Sequence, residues 1–80
     1  MYNYKITYED IQRWIENMQG AIIGLRDLQD RTESEADKVT LRSAEYALSD
    51  GLYLVALVEC LMTLNEPEGT LERAKELQNI

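Results

Sequence analysis

The side chains in this sequence that could carry chemistry are almost all carboxylates. Fifteen Asp and Glu stand against eight Lys and Arg, histidine is absent, and Cys60 is the single cysteine. Without histidine there is no common general base, no imidazole metal ligand and no triad built on either. The Glu-x-x-His spacing of helical di-iron sites is likewise impossible, and zinc has no Cys/His set to bind. The densest acidic run is Asp27, Asp30, Glu33, Glu35 and Asp37. As a calcium loop opened by Asp30 it lacks the Asp/Asn alternation and the turn glycine, and Leu41 stands where a bidentate Glu is needed. No glycine-rich phosphate loop is present. Cys60 lies in an apolar run with no Lys or Arg beside it, so it reads as an inert core thiol. No catalytic, cofactor-binding or metal-binding residue is assigned, and the expectation is a protein that is not an enzyme.

The net charge of −7 argues against direct binding of nucleic acid, which needs a basic patch, and against anionic membranes. It permits contact with a basic surface on another protein. Solubility is the plainer explanation of the same charge. A partner of that kind would be met by the acidic connector, so the candidate partner-binding residues are Asp27, Asp30, Glu33, Glu35 and Asp37.

The elements that must position these carboxylates are helical. The chain organises around Gly51 to Leu64, GLYLVALVECLMTL, in which Glu59 and Thr63 are the polar residues. Leu, Ala and Met dominate over Val, which favours helix. Fourteen residues are too few for a bilayer span, which takes about 20. A core helix apolar nearly all round needs cover on more than one side. On a helical wheel Leu48, Leu52, Val55 and Met62 share one face and Leu54, Val58 and Leu61 the next. The least apolar strip is Glu45, Ser49, Ala56, Glu59, Cys60 and Thr63. Glu59 is therefore expected to mark a wet edge. The sharper alternative is a buried carboxylate paired with an Arg from another helix.

Helix one has the clearest start. Thr7 is a good N-cap with Asp10 at N3, and Ile6 with Ile11 matches a hydrophobic staple. Ile11, Ile15, Met18, Ile22 and Leu25 then alternate spacings of four and three, flanked by Trp14, Ala21 and Leu28, and this predicts a helix over about 8–30. Gly20 and Gly24 interrupt it opposite the seam, as weak points in the helix or as a surface where another backbone approaches. The connector 30–37 is polar, with Ser34 or Thr32 as the next N-cap. Helix two is expected over about 35–49. Ser49-Asp50-Gly51 is a turn signal, which favours a break before a third helix at 52–65, although helices two and three as one long helix is the alternative. Asn65 to Gly69 turns the chain. Thr70 caps a last helix over about 70–79, with Leu71, Ala74 and Leu77 on one face, as a lid. Tyr2, Tyr4 and Ile6 alternate in a short N-terminal arm, 1–6. The fold class is all-α, a bundle of three to four helices in a single domain over 1–80. One cysteine cannot form an internal disulfide, and no signal peptide opens the chain, so a reducing, cytoplasmic setting is expected.

The pattern Ala44…Gly51-x-Tyr53-x-x-Ala56 followed by Pro67 resembles one tetratricopeptide-type helix hairpin, covering about 30 residues. It departs from that pattern at Ala47, where a large aromatic is usual, and no second copy follows. The resemblance implies paired helices on either side of Gly51.

Function is expected to lie in protein binding. The first reading is a small acidic inhibitor or adaptor that occupies a basic, nucleic-acid-binding surface, such as that of a host defence nuclease complex. Spaced carboxylates, either in the connector or at Glu66, Glu68, Glu72 and Glu76, would mimic nucleic acid. Phage-encoded anti-restriction and anti-CRISPR inhibitors are similar in size and charge. The alternatives are a self-associating homodimeric helical module and an antitoxin- or immunity-like partner of a basic effector.

Overall fold

The computed structural model describes residues 5–63 and 65–80. Three helices run up, down and up: α1 (Tyr8–Arg31), α2 (Glu35–Thr63) and α3 (Thr70–Gln78). Residues 1–4, which hold Tyr2 and Tyr4 of the proposed arm, and Leu64 of the central stretch lie outside the described residues.

The start of α1 follows from its first four residues. Thr7 Oγ1 accepts from the Asp10 N–H at 3.2 Å, and the Thr7 N–H donates to Asp10 Oδ2 at 2.9 Å. This is a reciprocal capping box with Asp in the place of Glu. Glu9 and Asp10 also suit the positive end of the helix dipole. The heptad seam faces inward as its spacing requires: Ile11, Ile15 and Ile22 are buried, with Trp14 and Met18 packed against them. Ser34 caps α2, its Oγ accepting from the Asp37 N–H at 3.3 Å. Beyond the end of α2, Asn65 takes a left-handed conformation (φ 57°). Gly69, at φ 90°, opens α3 without a side-chain cap. Thr70 is not that cap: it is buried, and its hydroxyl donates back to the Pro67 carbonyl at 2.6 Å.

The break at Ser49-Asp50-Gly51 does not occur. α2 is one helix of 29 residues, so the hairpin implied by the tetratricopeptide resemblance is absent. Gly51 has a different purpose. A Cβ placed on it would meet Met18 Cε at 3.4 Å and Sδ at 3.6 Å. It makes room for the Met18 side chain of α1, and the left-handed conformation that would end a helix is not used there. Among the described residues nothing lies within 4 Å of a Cβ placed on Gly20 or Gly24.

The buried face of α2 also corrects the wheel. Leu52, Val55, Ala56, Glu59 and Cys60 point inward, whereas Leu54, Leu61 and Met62 are exposed. Half of the strip that looked wettest, Ala56, Glu59 and Cys60, is buried beside Leu52 and Val55, while Thr63 at its end is exposed. Small side chains at Ala56 and Cys60 let the neighbouring helices come close, and Glu59 is neutralised in place. The residue is 6% exposed. Arg73 of α3 donates to it through Nε at 2.5 Å and Nη2 at 3.2 Å, and Gln12 of α1 through Nε2 at 3.1 Å. The fork geometry and charge make these the stronger class of hydrogen bond. Bonded to Glu59, the Arg73 guanidinium is held even further above its ordinary range. α3 is fastened as well by Gln19 donating to the Leu77 carbonyl (2.9 Å) and Gln78 donating to the Ser49 carbonyl (2.7 Å).

Two predictions follow from this packing. Gly51→Ala should raise stability by up to about 1 kcal/mol, because the helix gains propensity and the flexible end of Met18 accommodates the methyl. A rise of several degrees in the thermal midpoint would show it; a fall would mean that the approach of α1 tolerates no Cβ. The second concerns the buried pair. The Arg73 side chain is 33% exposed and that of Glu59 8%, so Arg73 can rehydrate when orphaned and Glu59 cannot. Arg73→Met should therefore cost more, on the order of 2–3 kcal/mol, than Glu59→Met, and the double variant should recover much of the loss. Equal costs in denaturant titrations would contradict this asymmetry.

Candidate functional site

The five connector carboxylates gather at one end of the α1–α2 hairpin. Asp27 and Asp30 sit on the last turns of α1, Glu33 on the link, and Glu35 and Asp37 on the first turn of α2. All five are exposed. Asp27 pairs with Arg31 at 2.9 Å and Glu35 with Lys38 at 3.5 Å, each along its own helix. Surface pairs of this type contribute roughly 0–1 kcal/mol. Five carboxylates against two cations leave the end acidic.

The positions of Asp27 and Asp30 are informative. Asp30 lies in the last turn of α1, at the negative end of its dipole, where stability alone would place cations, whereas Asp27, one turn back, is answered by its pair with Arg31. Glu35 and Asp37 lie at the positive end of the α2 dipole and are explained by it. The same holds for Glu72 in the first turn of α3, and Glu76 is tied to Arg73 at 3.0 Å. Glu72 and Glu76 of the second acidic group thus have a stabilising explanation, as Asp27, Glu35 and Asp37 of the first do.

Beside the acidic end is a shallow groove of about 270 Å³ lined by Leu28, Thr32, Asp37, Thr40 and Leu41. It offers an apolar floor with a carboxylate on its rim, which suits the aliphatic stem and charged head of a Lys or Arg side chain. Among the described residues, no group of three or more His, Cys, Asp or Glu is placed to hold a metal ion. Cys60 is free and buried.

One turn further along, Glu45 locks the same end of the hairpin. It accepts from Arg26 Nε at 2.9 Å and from Gln29 Nε2 at 2.8 Å. The bond from Arg26, with help from Gln29, holds the Glu45 carboxyl below its usual range. The Thr7 backbone N–H, and then Arg13, do the same for Asp10 at the opposite end.

No family model, curated protein or solved structure matches this chain. Function is therefore argued from the geometry.

The sequence placed the acidic end by residue number. It missed a second surface, the outer face of α2, where Val39, Tyr46, Tyr53, Leu54 and Leu61 are exposed. The signal for it was present: a helix apolar all round, in a chain too short to cover both sides.

The pH dependence follows from the lowered carboxyls. A depressed carboxyl stabilises the fold fully above its unfolded value, and that contribution is lost as pH falls through the folded value. Thermal midpoints should be flat between pH 6 and 8 and fall below about pH 4.5. Glu45→Gln should be less stable at neutral pH and show a shallower acid fall; an unchanged profile would mean that the Arg26–Glu45 contact adds nothing.

Proposed function

We propose that this chain is a small acidic, non-enzymatic inhibitor or adaptor that docks its acidic end on a basic surface of a partner protein. The observation that carries the reading is the placement of Asp30 against the α1 dipole, within an exposed acidic end next to an apolar groove rimmed by Asp37. An exposed acidic end beside such a groove suits the recognition of cationic side chains. A basic surface built for phosphates is the matching partner, and the carboxylates then stand where phosphate oxygens would. Electrostatic attraction of this kind speeds encounter and is screened by salt. With its one thiol buried, the protein would act in a reducing, cytoplasmic setting.

The test separates binding from folding. Asp27→Asn with Asp30→Asn should leave the thermal midpoint within a few degrees of the wild type, since Asp30→Asn removes an unfavourable dipole contact of about 0.3–1 kcal/mol and Asp27→Asn removes a surface pair of similar size. In pull-downs from a host lysate, the wild type should retain a basic nucleic-acid-binding protein at low salt and release it at high salt, and the variant should not retain it. If the variant captures the same protein, the acidic end is not the binding surface.

A further inference from the structure

The outer face of α2 carries an exposed apolar stripe. Val39, Tyr46 and Tyr53 recur every seven residues, and Leu54 and Leu61 repeat that interval one position on, with Leu57 between them. Five of the six are 41–62% exposed. Scattered apolar residues on a surface need no explanation, but a stripe along one helix, broken at Ser43 and Asp50, does. Between Val39 and Leu61 the charged residues on this outer half are Arg42 and Asp50. Glu45 and Glu59 face inward, bonded to Arg26 and Arg73.

We infer that this stripe is the twofold interface of a homodimer, with α2 of one copy lying antiparallel against α2 of the other. Three observations select a second copy as the occupant.

The first is surface area. The chain exposes 5865 Å², whereas a compact monomer of its mass exposes roughly 5,000 Å². The excess is close to the roughly 800 Å² that each partner buries in a standard interface.

The second is shape. The molecule measures 45 × 30 × 19 Å with a radius of gyration of 14.8 Å, against about 12 Å for a compact chain of this length. It is a slab about two helices thick, and a twofold copy on the α2 side completes the bundle.

The third is charge. A basic partner would be met by several carboxylates, yet this face carries one, Asp50, offset by Arg42. A second copy carries the same net charge of −7 and can approach only across a near-neutral face. The antiparallel arrangement places the two acidic ends at opposite ends of the assembly, well beyond the screening length of about 8 Å. Tyr46 and Tyr53 then bury their rings and keep their hydroxyls at the wet rim, as interface tyrosines do.

α2 is also long and apolar enough to cross a bilayer by composition alone. Its inward Glu45 and Glu59, fixed by arginines of α1 and α3, and its outward Arg42 and Asp50 make it a poor membrane helix. This inference does not rest on the acidic end, and the two stand or fall separately.

Light scattering and native mass spectrometry on the full chain at micromolar concentration decide it. The wild type should have twice the 9.3 kDa chain mass. Tyr53→Glu with Leu54→Glu should be monomeric with its helical circular dichroism retained, because both residues lie outside the core. Tyr53→Phe should remain dimeric. A monomeric wild type, or a dimer that survives the double variant, would overturn the proposal, and so would a monomer that floats with neutral phosphatidylcholine vesicles. For orientation, a spin label at Val39→Cys in a Cys60→Ala background should report a separation of roughly 30 Å if antiparallel, against roughly 10–15 Å if parallel. The short distance would overturn the antiparallel arrangement.

Discussion

The fold depends on one buried carboxylate. Glu59 accepts hydrogen bonds from Gln12 of α1 and Arg73 of α3, so a single side chain of the middle helix touches both neighbours. A charge taken out of water costs several kcal/mol unless it is paired and its lone pairs are filled. The partners must therefore be in place whenever the chain is folded, and this fixes more than their distance. It sets the rotation of α2 about its own axis, because Glu59 can reach both partners from only one face. That rotation brings Ala56 and Cys60 into the core and turns Leu54 and Leu61 outward. An apolar residue at 59 would leave α2 free to present whichever of its two apolar faces packed better. The carboxylate settles the choice.

Once the rotation is set, the remaining features follow. Leu52 and Val55 meet Ile11, Ile15 and Ile22, Met18 rests on Gly51, and Glu45 comes into line with Arg26 and Gln29 at the acidic end. The short α3 contributes only Thr70, Ala74 and Leu77 as buried residues. It is held as much by Arg73, Gln19 and Gln78 as by apolar contact. The outward turn of Leu54 and Leu61 is thus the other side of the Glu59 contact, and the core and the exposed stripe have one cause.

How much of this could be read from the sequence depended on how local each signal was. The capping box at Thr7 and Asp10 involves residues three apart, and the structure reproduces it bond for bond. The seam of α1 and the cap at Ser34 were legible for the same reason. Glu59 was not: its partners lie 47 residues before and 14 after it, and hydrophobic periodicity treats any carboxylate as a solvent marker. Gly51 misled in the same way. Read among its neighbours, Ser49-Asp50-Gly51 is a turn; read across the interface, the glycine makes room for Met18. The acidic end was legible as composition, but the opposition of Asp30 to the α1 dipole needed the true end of that helix.

The link 32–34 joins the two long helices with almost no slack, and this has a kinetic consequence. Contacts nearest the link close small loops, and each later contact adds little loop entropy, so α1 and α2 can pair like a zip from the acidic end outward. α3 cannot join that process early. Its anchor needs Gln12 near one end of the chain and Arg73 near the other, and Glu59 must already be turned toward both. The hairpin is then the first cooperative unit to form, and the docking of α3 is the last. Read in reverse, amide protons of α3 and of the turn before it should exchange through a partial opening that leaves the hairpin intact, while those of Ile15, Ile22 and Leu52 exchange only through global unfolding.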